Sequence, residues 1–424
     1  MQDYSELPAR VARVRAETLA LLSPLSLDEM IPQSMPDASP AKWHAGHTTW
    51  FWETMVLAPH APGYRPFSKD DYGLVFNSYY VALGSRFKRD ARQMIVRPTV
   101  EEVFAYRKYV DAALSRFLWS LSVEKLVELA PLIEIALNHE QQHQELILTD
   151  LKHLLYQNPF PPTYQTRRTD IITNPAPPVW GKTCPAGLYD IGVSGAEFAF
   201  DNERPHHKTY VESFQLATRS VINLEFKEFI RDNGYNRPEL WLAEGYALKE
   251  ANGWEAPLYW MKTDGVWEKV FTLTGVRDLE PYDPVCHVSF YEADAFARWS
   301  HARLPSEAEW EITANTVPLV GQFLESAVFH PTRDGTYDSR EKTEPVNMFG
   351  SVWEWTQSPY RPYPGFTPLE GALGEYNGKF MINQMVLRGG SCATPASHIR
   401  ASYRNFFPPD ARWQFSGIRL AKDV

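Results

Sequence analysis

The stretch of sequence that decides the fold is Leu129–Tyr156, which reads LAPLIEIALNHEQQHQELILTDLKHLLY. Its apolar residues recur every three or four positions, the periodicity of a helix with a buried face. At its centre lies the run His139-Glu-Gln-Gln-His143-Gln-Glu145. Two histidines four residues apart lie one turn from each other on the same helix face, so both imidazoles can reach one cation. Zinc metalloproteases use the same geometry in their H-E-x-x-H helices. The pattern therefore predicts a long helix that carries two candidate metal ligands.

Three further segments of the first 157 residues have helical patterns. Ser5–Leu22 has apolar residues at three- and four-residue steps. Ser39–Leu57 begins with Ser39 as a candidate N-cap and proline at the first helical position. Thr99–Leu121 opens with Thr-Val-Glu-Glu, a capping-box pattern. Four long helices predict a bundle over residues 1–157, and bundle cores commonly hold metal sites.

A third imidazole is available on the second predicted helix, in the run Trp43-His44-Ala-Gly-His47. His47 lies among aromatic residues on the expected inward face, and with His139 and His143 it would complete a three-histidine site. His44, one turn away, competes for the same role. Two histidines with Glu140 or Glu145 are a further alternative, and either set suits Fe(II) as well as Zn(II).

The remaining sequence divides into a loop, a linker and a second domain. Residues 58–97 form too long a connection to be only a linker; such loops are usually functional, and this one holds Tyr79-Tyr80 and several arginines. Residues 158–180 are rich in proline and predict a semi-rigid linker. Residues 181–424 show short β-like runs with brief helices near 223–233 and 290–300, so we predict a two-domain α+β chain.

Composition excludes several classes of function. The net charge of −10 and pI of about 5.7 argue against nucleic acid or an anionic membrane as partners. No window has the roughly 18 apolar residues of a membrane helix, and no signal peptide is recognisable at the N-terminus. The three cysteines, Cys184, Cys286 and Cys392, are far apart in sequence, which favours buried thiols in a reducing compartment. We therefore expect a cytoplasmic protein, and a homo-oligomer is compatible with the sequence.

These motifs together resemble the iron-dependent sulfoxide synthases of ergothioneine biosynthesis. That family joins a DinB-like helical bundle to a domain like the formylglycine-generating enzyme, a C-type-lectin-like fold. In the first half the resemblance rests on Trp43-x-x-x-His47 and His139-Glu-Gln-Gln-His143-x-Glu145. In the second half it rests on a series of motifs in the same order: Pro185–Gly192, Phe200–Pro205, Arg303–Trp310, Gly350–Trp355, Arg388–Ser391, Tyr403–Phe407 and Phe415–Leu420.

The resemblance implies a role for each candidate residue. His47, His139 and His143 would be the ligands of Fe(II), the expected cofactor. Gln142 and Asn405 match positions that hold trimethylated histidine, hercynine, and the neighbouring Phe406 and Phe407 are also expected to bind substrate. Arg86 and Arg89 match positions that bind the carboxylate of the thiol substrate, for which the guanidinium fork is suited. The expected reaction joins the thiol sulfur to hercynine with O2 to give hercynylcysteine sulfoxide, and Tyr79 or Tyr80 would be catalytic.

Two departures from the family patterns refine this expectation. Formylglycine-generating enzymes use a pair of redox cysteines late in the domain, whereas Cys392 has no cysteine near it in sequence. In the branch that uses γ-glutamylcysteine, Asn-Trp-Asp occurs where this chain has Asn405-Phe406-Phe407. The missing aspartate and the pair Tyr79-Tyr80 resemble the branch that uses free cysteine. We therefore expect L-cysteine as the thiol donor.

Three alternatives remain open from the sequence. A selenoneine synthase of the same architecture would use hercynine and a selenosugar. A zinc-dependent DinB-like thiol transferase would keep the bundle and work without oxygen. A non-enzymatic reading treats the second domain as a binding module and the bundle as a scaffold.

Overall fold

The computed structural model describes residues 4–68, 72–166, 180–332 and 343–424. The chain divides into two compact units. The first contains residues 1–160 together with Leu369–Tyr376, and the second contains residues 161–368 and 377–424. The sequence does not anticipate that a short segment from the second half belongs with the first unit. Most of the expected linker, residues 167–179, lies outside the described residues.

The first unit is helical. Its helices, in chain order, are α1 (Leu7–Leu22), α2 (Ala41–Trp52), α3 (Ala58–His60), α4 (Tyr72–Phe76), α5 (Val100–Ser120) and α6 (Val123–Tyr156). The four long helices form the bundle: α2 packs against α5 and α6, and α1 packs against the same two helices. A π-helical turn, Glu53–Leu57, continues α2. The loop before α5 contains short 3-10 turns at Val81–Leu83 and Arg89–Met94.

Local signals explain some helix ends and fail at others. Thr99 Oγ1 accepts from the Glu102 N–H at 3.2 Å and the Glu102 carboxylate accepts from the Thr99 N–H, so the predicted capping box is confirmed. Helix α6 begins six residues before the predicted Leu129, with Ser122 as its N-cap, and it accommodates Pro131 in its interior. Ser39 is not the N-cap of α2, since Pro40 takes that place and the Ser39 hydroxyl accepts from Arg92 Nη1 at 2.7 Å instead.

A buried ion cluster connects all four long helices. The Glu140 carboxylate on α6 accepts from Arg15 Nη1 at 3.0 Å and from Arg107 Nη2 at 2.6 Å. Thr18 Oγ1 and Trp52 Nε1 donate to the same carboxylate at 2.7 and 2.8 Å. Glu140 is fully buried, so its charge is stable only because these four donors replace water. The cluster thereby fixes how α6 lies against its neighbours.

The second unit contains short strands and short helices. The strands are β1 (Gly187–Ile191), β2 (His207–Val211), β3 (Phe214–Leu216), β4 (Trp260–Thr263), β5 (Val266–Thr272), β6 (Gly275–Asp278), β7 (Gly321–Gln322), β8 (Phe349–Gly350), β9 (Trp353–Pro359), β10 (Met385–Arg388), β11 (Asn405–Phe407), β12 (Ser416–Gly417) and β13 (Ala421–Asp423). The largest sheet has the order β11-β10-β9-β12, in which only β12 is parallel to its neighbour. The other sheets are β1-β2, β13-β3, β4-β5-β6 and β7-β8.

Four helices complete this unit: α7 (Asn223–Arg231), α8 (Ala243–Asn252), α9 (Phe290–Trp299) and α10 (Glu307–Ala314). The predicted brief helices correspond to α7 and α9, whereas α8 and α10 were not anticipated. Among the described residues, no helix is long and apolar enough to cross a bilayer. None of the three cysteines forms a disulfide within the described residues; Cys286 and Cys392 are buried and Cys184 is half-buried.

The motifs of the second half build the core of this unit. Glu354 on β9 accepts from Arg419 Nε at 2.8 Å and from Trp310 Nε1 at 2.7 Å, and all three side chains are buried. Gly350 has a φ of +72°, and a Cβ at this position would lie 2.3 Å from the Gln322 carbonyl oxygen. Only glycine fits there, because an L side chain would meet both backbone strain and a clash. These motif residues are therefore structural.

Candidate metal centre

Three buried imidazoles from two helices meet in the first unit. His47 lies on α2, and His139 and His143 lie one turn apart on α6. One ring nitrogen from each lies within 4.8 Å of the others, and all three side chains are buried. No second cluster of three or more His, Cys, Asp or Glu with such spacing occurs within the described ranges. The structure thus brings together the three residues that the motif resemblance selects.

Neighbouring groups orient His47. Its Nδ1 is 2.6 Å from the carbonyl oxygen of Phe76, so Nδ1 carries the proton and donates it to that acceptor. Its Nε2 therefore carries a lone pair, and this atom faces His139 Nε2 at 3.1 Å. Trp43 stacks on the ring at 4.5 Å between centroids. Gly46 lets Phe76 lie this close to α2, since a Cβ at this position would lie 2.1 Å from the Phe76 ring.

The electrostatics keep all three rings neutral. Burial lowers the pKa of His139 to about 3, and burial with the neighbouring histidines lowers the pKa of His47 and His143 well below the usual value. A neutral imidazole is the form that binds a metal ion. The facing Nε2 atoms of His47 and His139 are close enough for a shared cation to satisfy both. His139 Nδ1 is buried and has no hydrogen-bond partner within the described structure. The donor set fits a divalent transition metal.

The structure also distinguishes the competing ligands. His44 is bonded through both ring nitrogens, to His143 at 2.8 Å and to Asp150 at 3.0 Å, so neither nitrogen is left to bind a metal ion. Glu140 occupies the position of the general base in an H-E-x-x-H motif, but its carboxylate is bound by Arg15 and Arg107 in the bundle core. Glu145 is half-buried and not in the three-histidine group. The geometry favours three histidines with neither carboxylate.

Tyrosines lie beside the three histidines. Tyr80 is fully buried, and its ring is 5.9 Å from that of Phe51, which stacks on His139 at 4.1 Å. Tyr79 Oη is 3.4 Å from Tyr80 Oη. Burial raises the pKa of Tyr80 well above its usual value, so this phenol stays protonated at neutral pH and can donate a proton or hydrogen bond.

Tyr376 is a site residue that the sequence does not reveal. It ends the segment Leu369–Tyr376, and its hydroxyl donates to Gln142 Oε1. Its ring lies 5.8 Å from that of His139 and 6.4 Å from that of Tyr79. The adjacent Glu375 accepts from the N–H groups of Val81 and Ala82, at 3.0 and 2.8 Å, and so anchors the tyrosine loop. An isolated tyrosine 234 residues from its partner carries no local signal.

Family comparisons agree with this architecture. A model of the DinB superfamily matches residues 10–147, and a model described as a sulfatase-modifying factor enzyme 1-like domain matches residues 182–344 and 335–424. The hercynine oxygenase of Mycobacterium tuberculosis is 30% identical over the full length of both chains. The chain belongs to the hercynine oxygenase family. The Mycolicibacterium smegmatis hercynine oxygenase is 35% identical over 68% of this chain and 71% of its own.

Membership of the hercynine oxygenase family establishes an oxygen-dependent enzyme. It also confirms the predicted fold class, a helical DinB-like domain followed by a C-type-lectin-like domain. The formylglycine-generating enzyme of Bos taurus is 25% identical over 59% of this chain and 76% of its own. This likeness extends over a smaller share of the chain than the match to the Mycobacterium tuberculosis hercynine oxygenase.

In this member of the hercynine oxygenase family, the two predicted arginines lie on the surface. Arg86 is exposed, and Arg89 donates to the Asp37 carbonyl oxygen at 2.6 Å. Arg92, by contrast, is buried: its guanidinium lies 3.4 Å from the centre of the Trp43 ring. Its charge also contributes to the lowered pKa of His47 and His143. Arg92 is thus the loop cation whose field reaches the histidines.

The predicted residues of the second half form one strand of that unit. Asn405, Phe406 and Phe407 make up β11, the edge strand beside β10. Phe406 stacks on Tyr360 with ring centroids 4.1 Å apart, and the Asn405 side chain accepts from the Phe406 N–H at 2.9 Å. All three are half-buried. Each of the three side chains therefore keeps part of its surface accessible to solvent.

Proposed function

We propose that this chain is an Fe(II)- and O2-dependent sulfoxide synthase that joins the sulfur of L-cysteine to hercynine. The observation that carries the proposal is the buried group of three neutral histidines in a chain of the hercynine oxygenase family. The proposed ligands are His47, His139 and His143. Three imidazoles on one side of a cation leave other positions for substrates. The proposed product is hercynylcysteine sulfoxide, an intermediate of ergothioneine biosynthesis.

The proposed reaction balances without an external reductant. Two electrons leave the substrates when the C–S bond forms, with loss of the thiol proton and the imidazole C–H proton. Two more leave when sulfur is oxidised to the sulfoxide. O2 accepts all four, and it supplies one oxygen atom to sulfur and the other to water. When bound, Fe(II) would keep a coordinated thiol deprotonated and supply the redox chemistry of O2.

The chain's own residues would bind the substrates and handle protons. Gln142, adjacent to a ligand and hydrogen-bonded to Tyr376, offers a neutral amide to a zwitterionic substrate. Tyr80, protonated at neutral pH, would donate a proton as oxygen is reduced, with Tyr79 as its partner. Arg86 and Arg89 remain proposed ligands of the substrate carboxylate, and both side chains are exposed to solvent. For Asn405, Phe406 and Phe407 the proposal rests on the motif resemblance alone.

The test is turnover by protein reconstituted anaerobically with Fe(II). Air, hercynine and L-cysteine are then added, and product mass and O2 uptake are recorded. We expect hercynylcysteine sulfoxide with one O2 consumed per product and no requirement for NAD(P)H or 2-oxoglutarate. Parallel reactions replace cysteine with γ-glutamylcysteine. Turnover with γ-glutamylcysteine alone would contradict the choice of thiol donor.

The same experiment separates the alternative functions. A selenoneine synthase would give product only with a selenosugar donor. A zinc-dependent thiol transferase would retain Zn(II) and show no O2 uptake. Neither outcome is compatible with the proposed sulfoxide synthase.

A further inference from the structure

His44 is a buried histidine that the proposed metal site does not use. It lies on α2, one turn before His47, and it connects two residues of α6. Its Nδ1 is 2.8 Å from His143 Nδ1, and its Nε2 is 3.0 Å from Asp150 Oδ2. His44, His143 and Asp150 are all buried, so each of these contacts is shielded from water.

With Asp150 ionised and His44 neutral, the chemistry of the three groups sets the direction of each hydrogen bond. An ionised carboxylate only accepts, so the proton of the His44–Asp150 bond is on His44 Nε2. A neutral His44 then has a lone pair on Nδ1, which must accept from His143 Nδ1–H. This arrangement leaves the lone pair of His143 on Nε2, the nitrogen that remains for a metal ion.

Asp150 is itself held in place. Its Oδ2 also accepts from the backbone N–H of Ser39 at 2.8 Å. The Ser39 hydroxyl accepts from Arg92 Nη1 at 2.7 Å, and Arg92 lies over the ring of Trp43. The backbone bond fixes Asp150 Oδ2 without depending on a mobile side chain. A rigid chain of contacts therefore runs from the start of α2 to the imidazole of His143.

We infer that His44 and Asp150 are positioning residues that orient His143 and hold it in the tautomer that presents Nε2 to the metal. The inference rests on the proposed three-histidine centre. A carboxylate behind a metal-bound histidine is a common arrangement, and it raises the basicity of the ligand. Here a second histidine stands between the carboxylate and the ligand. Loss of such outer contacts typically weakens metal binding about 10- to 100-fold.

The test is a titration of the apo-protein with Co(II) alone, followed by the visible absorption of the bound ion. We expect His44→Phe, which keeps an aromatic ring but removes both hydrogen bonds, to weaken Co(II) binding about 10- to 100-fold. It should also shift the Co(II) absorption bands, because His143 is free to rotate. His44→Gln can accept from His143 and donate to Asp150, so its affinity should lie between wild type and His44→Phe.

His153→Phe is the matched control. His153 lies on the same helix, and its Nδ1 is 2.7 Å from Ser34 Oγ, but it is not part of the metal cluster. We expect it to bind Co(II) as the wild type does. If His44→Phe does not fold, as judged by circular dichroism, Asp150→Ala decides, since it removes the carboxylate that accepts from His44 Nε2 and adds no bulk.

The outcomes separate this inference from the proposed function. Wild-type affinity and an unchanged spectrum in His44→Phe, or in Asp150→Ala where that variant must decide, would overturn the positioning role while the metal centre stands. A wild-type protein that binds no Co(II) would contradict the metal centre itself. A loss of Co(II) affinity in the His44 variants, with no loss in His153→Phe, would support the inference.

Discussion

Replacing Glu140 by glutamine should destabilise the helical unit by several kcal/mol. The substitution keeps the side-chain volume and removes the charge. Arg15 and Arg107 would then be buried beside a neutral amide, although they now bond to the carboxylate at 3.0 and 2.6 Å. The amide nitrogen would replace either Oε1, which accepts from Thr18 and Arg107, or Oε2, which accepts from Trp52 and Arg15. At least one of the four donors would lose its acceptor.

Two estimates of the magnitude agree. Burial would raise the pKa of Glu140, but Arg107 and Arg15 more than offset it and hold the pKa at about 2, against an ordinary 4.5. At about 1.36 kcal/mol per pKa unit, this difference corresponds to roughly 3 kcal/mol in favour of the charged form. Breaking one partner of a buried ion pair costs about 3–5 kcal/mol. We expect Glu140→Gln to lose about 3–4 kcal/mol of unfolding free energy at pH 7.

The assay is equilibrium urea unfolding of the apo-protein, followed by circular dichroism of the helices. Glu134→Gln is the control. Glu134 lies on the same helix, but its partner Arg10 is 37% exposed, so this variant should lose less than about 1 kcal/mol of unfolding free energy. A carboxyl group whose pKa is lower in the folded state than in the unfolded state stabilises the fold at pH values above its unfolded-state pKa. The difference in unfolding free energy between wild type and Glu140→Gln should therefore decrease as the pH falls from 4.5 toward 2. A loss below about 1 kcal/mol at pH 7 would refute this account of the cluster.

Three further predictions concern the site. Burial lowers the pKa of His139 to about 3, so as the pH falls below 6.5 this histidine takes up a proton in the unfolded chain before it does so in the folded one. The free energy of unfolding of the apo-protein should therefore fall by roughly 1.4 kcal/mol per pH unit from this residue. Urea midpoints that stay constant from pH 7 to 5 would contradict this. Tyr80→Phe should raise the ratio of cysteine sulfinate to sulfoxide, measured by mass spectrometry beside Tyr79→Phe, and an unchanged ratio in both variants would remove the tyrosine from the mechanism. Gly46→Ala should cost about 1–3 kcal/mol of unfolding free energy, because its Cβ would lie 2.1 Å from the Phe76 ring; an unchanged urea midpoint would show that the ring moves freely.

Local patterns predicted the helices better than their boundaries. The capping box at Thr99 depends on residues three apart, and it is present as expected. The start of α6 was predicted six residues too late, since the helix begins at Val123 after the N-cap Ser122 and continues through Pro131. Ser39 was a plausible N-cap, but its hydroxyl accepts from Arg92, 53 residues away. Such long-range competition is invisible in a short window of sequence.

The same distinction explains the site. The spacing of His139 and His143 fixes their common helix face, so that pair was predictable. Whether His44 or His47 joins them depends on how α2 crosses α6, which spacing alone does not determine. Tyr376 comes from a segment that belongs with the helical unit only in the folded chain. The buried position of Arg92 likewise depends on packing against Trp43 rather than on its place in an arginine-rich loop.

The most direct test of the three-histidine centre is the number of Fe(II) ions that each chain binds under anaerobic conditions. Wild type should bind one Fe(II), and His47→Ala, His139→Ala and His143→Ala should each lose most of it together with O2 uptake. His153→Ala should bind as the wild type does. Full Fe(II) binding by any of the three ligand variants, with O2 uptake intact, would contradict the proposed centre.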